Sequence, residues 1–229
     1  MPFLYFDVYY LVLVVPMILF SLICSALVKS TFNRYAKTPT RHGLTGQSAA
    51  EQVCRMENAQ NVSIVSARGK LTDHYDPRNH TIALSESVYG HATVSAVAVA
   101  AHEAGHAGQY ANRYAPVKAR MALIPVCNFG SGLSVPLVVL GLALGYEWLI
   151  NLGILLFALV FAFQVLTLPV EFNASRRAMR ALESGQMLSG EELRQARKVL
   201  TAAAMTYVAA MAVSLAQLLR LVLLSRRRR

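Results

Sequence analysis

The chain has 229 residues, 55% of them hydrophobic, and carries 22 Lys and Arg against 12 Asp and Glu, for a formal net charge of +10. A mean hydropathy of +0.41 excludes an ordinary water-soluble domain, because only long uncharged runs raise the average that far. The positive balance would suggest nucleic acid in a soluble protein, but here Lys and Arg cluster beside apolar runs, as in a multi-span membrane protein with no nucleic-acid partner.

In chain order, residues about 8–28, VYYLVLVVPMILFSLICSALV, contain no charge over the roughly 20 residues a bilayer crossing needs. The apolar part is too long for a cleaved signal, and its basic residues Lys29, Arg34 and Lys37 follow it rather than precede it. In TGQSAAEQVCRMEN (45–58), Ala50, Val53, Cys54 and Met56 recur at near-helical spacing behind a Thr-Gly start, which predicts an amphipathic helix. The text then changes period. Val62 and Ile64, and later Thr81, Ile82 and Leu84, form short runs bounded by Gly69, Asp76-Pro77 and Asn79, which fits two short strands. A helix over 92–113 follows, ending before Pro116.

Between Met121 and Val170 the only charge is Glu147, so spans near 123–144 and 148–169 form a hairpin, with Tyr146 and Trp148 as interfacial aromatics at its turn. A fourth apolar stretch, 200–224, is interrupted by Arg220. Basic clusters after the first span, before the second (Arg113, Lys118, Arg120) and after the third (Arg176, Arg177, Arg180) place 29–120 and 170–199 in the cytoplasm. The terminal SRRRR conflicts with that rule if 200–224 also crosses. Cys24, Cys54 and Cys127 form no CxxC pair and read as small packing residues.

The chemistry concentrates in AVAVAAHEAGHAGQYANRY (96–114), where polar side chains interrupt an Ala/Val helix. His102 and His106, four residues apart, lie on one helix face and present two imidazoles to one point, a spacing suited to zinc. Glu103 projects about 100° around the helix, within reach of a water beside such an ion. Catalytic zinc sites take a third protein ligand. Candidates are Asp76, His80, Glu86, His91 and Glu171; an even number of crossings between the His pair and PVEFNASRRAMRAL returns Glu171 to the same membrane face.

Three stretches, VAAHEAGHAGQ, LTDHYDPR followed by IALSESVY, and LPVEFNASRRA, together resemble the YugP-type neutral zinc metallopeptidases of bacterial membranes, from about residue 43 to the last apolar segment. More distantly the chain is similar to the HtpX-like and CAAX-processing membrane zinc proteases. The resemblance implies Zn2+ held by His102, His106 and Glu171, with Glu103 as general base. Those distant relatives commonly carry Glu-x-x-x-Asp, whose Asp orients a ligand histidine, whereas Ser175 stands at that position here and its hydroxyl is a weaker acceptor. The expected fold is mainly α: one membrane-embedded, zincin-like (gluzincin) metalloprotease domain over 1–229, with three to four membrane helices and a small β element beside the active-site helix.

The expected activity is hydrolysis of a peptide or membrane-protein substrate by a zinc-activated water, on the cytoplasmic side of a bacterial inner membrane, within the lipid bilayer. His74, Tyr75, His80 and Arg177 are the candidate oxyanion donors, and the strand HTIALS, taken as an exposed sheet edge, would bind substrate backbone by strand addition. Homo-oligomerisation and a regulatory membrane partner are left open. The alternative is a non-catalytic multi-span scaffold or transporter component with a structural metal. Transporters place ionisable groups inside their spans, and only Arg220 does so here.

Overall fold

The structure is a computed structural model and describes residues 7–226. It is mainly helical, with one small sheet, and among the described residues four helices are long and apolar enough to cross a membrane. The chain divides into two compact units, one comprising residues up to Ser25, Lys118–Pro169 and from Met205 onward, the other Ala26–Val117 and Val170–Ala204.

The first unit is built from apolar helix. A π-helical stretch, Tyr10–Val14, leads into α1 (Val15–Tyr35); α5 (Ala115–Leu144) and α6 (Glu147–Ser184) form the expected hairpin, and α7 (Gly190–Arg226) supplies the fourth candidate span. Gly145 ends α5 with φ +77°, a left-handed conformation that a side chain would disfavour. The Tyr146 amide donates back to the Gly141 carbonyl at 2.9 Å, while Tyr146 and Trp148 are exposed at the turn. Val138, Leu142, Ile150 and Leu221 form a small apolar cluster. Arg220, which broke the last apolar run in sequence, is only 3% exposed. Its guanidinium donates to Asp7 Oδ2 at 2.8 Å and lies over the Tyr10 ring, 5.1 Å from the centroid, so the charge is compensated from the start of the chain.

The second unit holds the larger core. Helix α2 (Gly46–Met56) starts where Thr45 accepts a hydrogen bond from the Ser48 amide, and it buries Ala49, Ala50, Val53 and Cys54. Met56, which the spacing placed with them, is 45% exposed. Burial pushes the Cys54 thiol up to about 11, with the Glu51 charge adding to the effect, so this cysteine packs as an inert apolar group. The sheet has three strands rather than two: β1 (Ser63–Ala67), β2 (His74–Asp76) and β3 (Thr81–Ser85), in the order β1-β3-β2, with β1 parallel and β2 antiparallel to β3.

This order corrects the expectation for HTIALS. It is the central strand, with both edges paired, because Ile82 and Leu84 are fully buried and the flanking strands satisfy its backbone groups on either side. After the short α3 (Glu86–Tyr89), Thr93 caps α4 (Val94–Ala111) by accepting from the Ala96 amide. Helix α4 runs through the centre of the unit with 13 buried residues, most of them Ala, Gly or Val. That composition allows α2, the sheet and the end of α6 to approach it closely.

Candidate metal centre

Two helices carry the site, and one glycine sets their separation. A Cβ added at Gly105 of α4 would lie 2.5 Å from the Ala174 carbonyl oxygen of α6, so the two backbones touch at that level. On α6, Glu171, Ala174, Ser175 and Ala178 share a face at i, i+3, i+4 and i+7; Ala174 and Ala178 are fully buried. The contact therefore sets Glu171 against the helix face bearing His102 and His106.

The three side chains converge. Their ligand atoms lie within 4.8 Å of one another. Glu171 Oε2 is 3.3 Å from His102 Nε2 and 3.5 Å from His106 Nε2, and the imidazole rings meet edge to face with centroids 4.7 Å apart. Glu171 is buried, while each imidazole keeps 14% of its side-chain surface exposed. Burial alone would lower the His106 pKa. Hydrogen bonding with Glu171, the negative charges of Glu103 and Glu171, and the Gln109 contact outweigh it and hold the imidazole above its ordinary value. Glu103 itself is buried, and its charge reaches His106.

Both imidazoles are oriented through their far nitrogens. Ser175 Oγ stands 3.1 Å from His102 Nδ1, the place sequence comparison gives to the orienting group. Gln109 Oε1 stands 3.0 Å from His106 Nδ1. The Gln109 amide has little freedom: its Nε2 donates to the Val170 carbonyl at 2.7 Å and to Asn173 Oδ1 at 3.0 Å, and Asn173 Oδ1 also accepts from Arg177 Nε. A carbonyl can only accept, so Gln109 Oε1 is left to accept from His106, which keeps a proton on Nδ1 and leaves Nε2, facing Glu171, as the nitrogen that gives up its proton when a metal binds. Arg177 is held in turn by Glu57 at the end of α2.

Gln109, Asn173 and Glu57 were not singled out from sequence. Gln109 carried a signal, since it is a buried amide in an Ala/Gly helix three residues after His106, on the same face.

The remaining candidates lie outside the three-residue cluster. The Asp76 carboxylate accepts from the Arg78 amide and the Asn79 side chain, so it closes a turn. His74 is exposed, with Nδ1 2.8 Å from the Thr72 carbonyl. The Tyr75 hydroxyl lies 3.3 Å from His80 Nδ1, and its ring packs 5.4 Å from that of Tyr110, one turn beyond His106 on α4. Burial, reinforced by neighbouring Tyr110, pushes the Tyr75 phenol up to about 12, so it keeps its proton at neutral pH. Arg177 is engaged by Asn173 and Glu57, Glu86 is exposed on α3, and His91 lines a separate cavity.

A family model described as "Putative neutral zinc metallopeptidase" matches residues 10–226. The "Putative membrane protease YugP" of Bacillus subtilis (strain 168) is 44% identical over 197 residues, which cover 86% of this chain and 88% of that protein. No solved structure matches.

Proposed function

Because the chain belongs to the neutral zinc metallopeptidase family, we propose that it is a membrane-embedded, zinc-dependent endopeptidase of the gluzincin type, with His102, His106 and Glu171 as metal ligands and Glu103 as general base. The observation that carries this reading is the convergence of two imidazole nitrogens and one buried carboxylate oxygen within 4.8 Å. The donor set suits zinc: two neutral nitrogens and an anionic oxygen from the protein leave a fourth tetrahedral position for solvent or substrate. The contacts of Gln109 and Ser175 at Nδ1 favour presentation of both Nε2 lone pairs inward.

Zinc bound there would supply Lewis acidity and make an attacking water acidic near neutral pH. Glu103, one residue along from His102, takes that water's proton as it adds to a peptide carbonyl and returns it to the departing amine. Tyr75, protonated and packed against α4, is the oxyanion donor favoured over the engaged Arg177. With β3 central, β2 is the sheet edge that would take substrate backbone beside α4. The substrate is a peptide or membrane protein. The basic clusters around Arg113–Arg120 and Arg176–Arg180 favour a site on the cytoplasmic face of a bacterial cell membrane.

Zinc content and cleavage of an unfolded substrate, measured together on two variants, test the roles. Glu103→Gln should keep about one zinc per chain and lose about 10² to 10⁴ in rate, since glutamine cannot take the proton. Glu171→Gln should lose the metal. If Glu103→Gln empties the site while Glu171→Gln keeps zinc and full activity, the assignment fails.

A further inference from the structure

A cavity of about 520 Å³ opens within the unit that holds the metal centre and shares no residue with that centre. One wall is the end of α1, where Lys29, Phe32, Asn33 and Ala36 follow at i, i+3, i+4 and i+7 and so share a helix face. Lys70 and Leu71, from the connection between β1 and β2, form the second wall, and Ser87, His91 and Thr93, around the start of α4, the third. Two lysines and a histidine line this space with hydroxyl and amide groups, and among the described residues no carboxylate does. Neither lysine is paired with an acid among the described residues.

We propose that this cavity binds the phosphate of an anionic ligand, supplied by the headgroup of an acidic phospholipid. Three observations support that chemistry. The wall is cationic without a counter-charge, so an anion relieves repulsion that a metal ion or a basic peptide would increase. Lys29 is the first charge after the uncharged run 8–28, which puts its ammonium at headgroup depth, where basic pockets meet lipid phosphates. Phe32, Ala36 and the half-exposed Leu71 give the cavity an apolar side suited to a glycerol backbone rather than to a bare ion. Its volume falls in the range of small-molecule pockets, about 300 to 1,000 Å³.

The test uses the full chain in mild detergent, with bound lipid counted by native mass spectrometry during titration with short-chain phosphatidylglycerol or phosphatidylcholine. One phosphatidylglycerol should bind in preference to phosphatidylcholine. Lys29→Gln with Lys70→Gln should weaken it about 25-fold, from about five-fold per lysine. The control, Lys37→Gln with Lys198→Gln, removes the same charge from lysines that are exposed like Lys29 and Lys70 but lie outside the cavity, and should leave binding within about two-fold. Competition with inorganic phosphate separates the sources: displacement shows that the phosphate itself is recognised, and binding of lipid alone shows that the apolar side is needed as well. Equal binding of the two lipids, equal losses in the two double variants, or displacement of the lipid by a cleavable peptide would overturn the proposal.

Discussion

Replacing Gly105 by alanine pits local propensity against tertiary contact, and the two predict opposite signs. Position 105 lies inside α4, where Gly→Ala ordinarily stabilises a helix by about 1 kcal/mol. Here the new Cβ would sit 2.5 Å from the Ala174 carbonyl oxygen, and such contacts essentially never fall below 3.0 Å. The obstacle is backbone and cannot rotate away, so α4 and α6 must separate locally by about 0.5 Å. Overpacking of this kind costs about 1 to 3 kcal/mol, which exceeds the propensity gain. Metal sites tolerate about 0.2 Å in ligand distance, and the two helices carry the two halves of the donor set. Gly105→Ala should therefore lower the melting temperature of the zinc-free protein and weaken zinc binding by roughly ten-fold or more, taking the scale of other disturbances outside the ligand set. Thermal unfolding without zinc and competition against a calibrated chelator measure the two effects. A variant that is more stable, with unchanged zinc affinity, would refute the close α4–α6 contact on which the site geometry rests.

Gln109→Leu should weaken zinc binding about 10- to 100-fold by releasing His106 and the Val170 carbonyl together; Ser175→Ala, which removes one hydroxyl contact, should cost less, and the same chelator competition ranks them. The raised His106 pKa gives pH effects of opposite sign in the two forms. Without zinc, the stability it contributes is fully present below the ordinary histidine range and is lost as pH rises through the folded value. Zinc binding needs the neutral ring, so it strengthens over that same rise, and melting curves of both forms across about pH 5 to 9 check the contrast. Cys54, buried and with its thiol pushed up to about 11, should resist iodoacetamide at about pH 8 in the folded protein and react once it is unfolded.

How far the site could be read in advance depended on whether a residue's meaning is local. His102, Glu103 and His106 stood out because polar groups in an Ala/Val helix are anomalous wherever that helix lies. Glu171 was reachable by counting membrane crossings. Gln109, Asn173 and Glu57 acquire their roles only once α2, α4 and α6 are side by side, across 64 residues for Gln109 and Asn173 and 120 for Glu57 and Arg177. The sheet divides similarly. The short run Thr81, Ile82 and Leu84 behind Asp76-Pro77 and Asn79 announced β3, but strand order is a property of partners, and β2, with three residues, is too short to show a period. The π-helical stretch before α1 left no pattern in an apolar run where every residue suits a lipid-facing helix.

The pairing of Arg220 with Asp7 constrains how the chain is assembled. An arginine costs about 2.5 to 3.5 kcal/mol to insert at the centre of a membrane helix and less near its end, where Arg220 lies in α7. Its acidic partner lies 213 residues earlier in the chain and is synthesised first. If α7 crosses, the charge near its end meets its partner only where the first helix is already in place, so completion of this unit is coupled to its beginning. Asp7→Asn would remove that carboxylate from Arg220 and leave it the Tyr10 ring and Gln217, so the change should lower the yield of fully assembled protein rather than alter the metal centre.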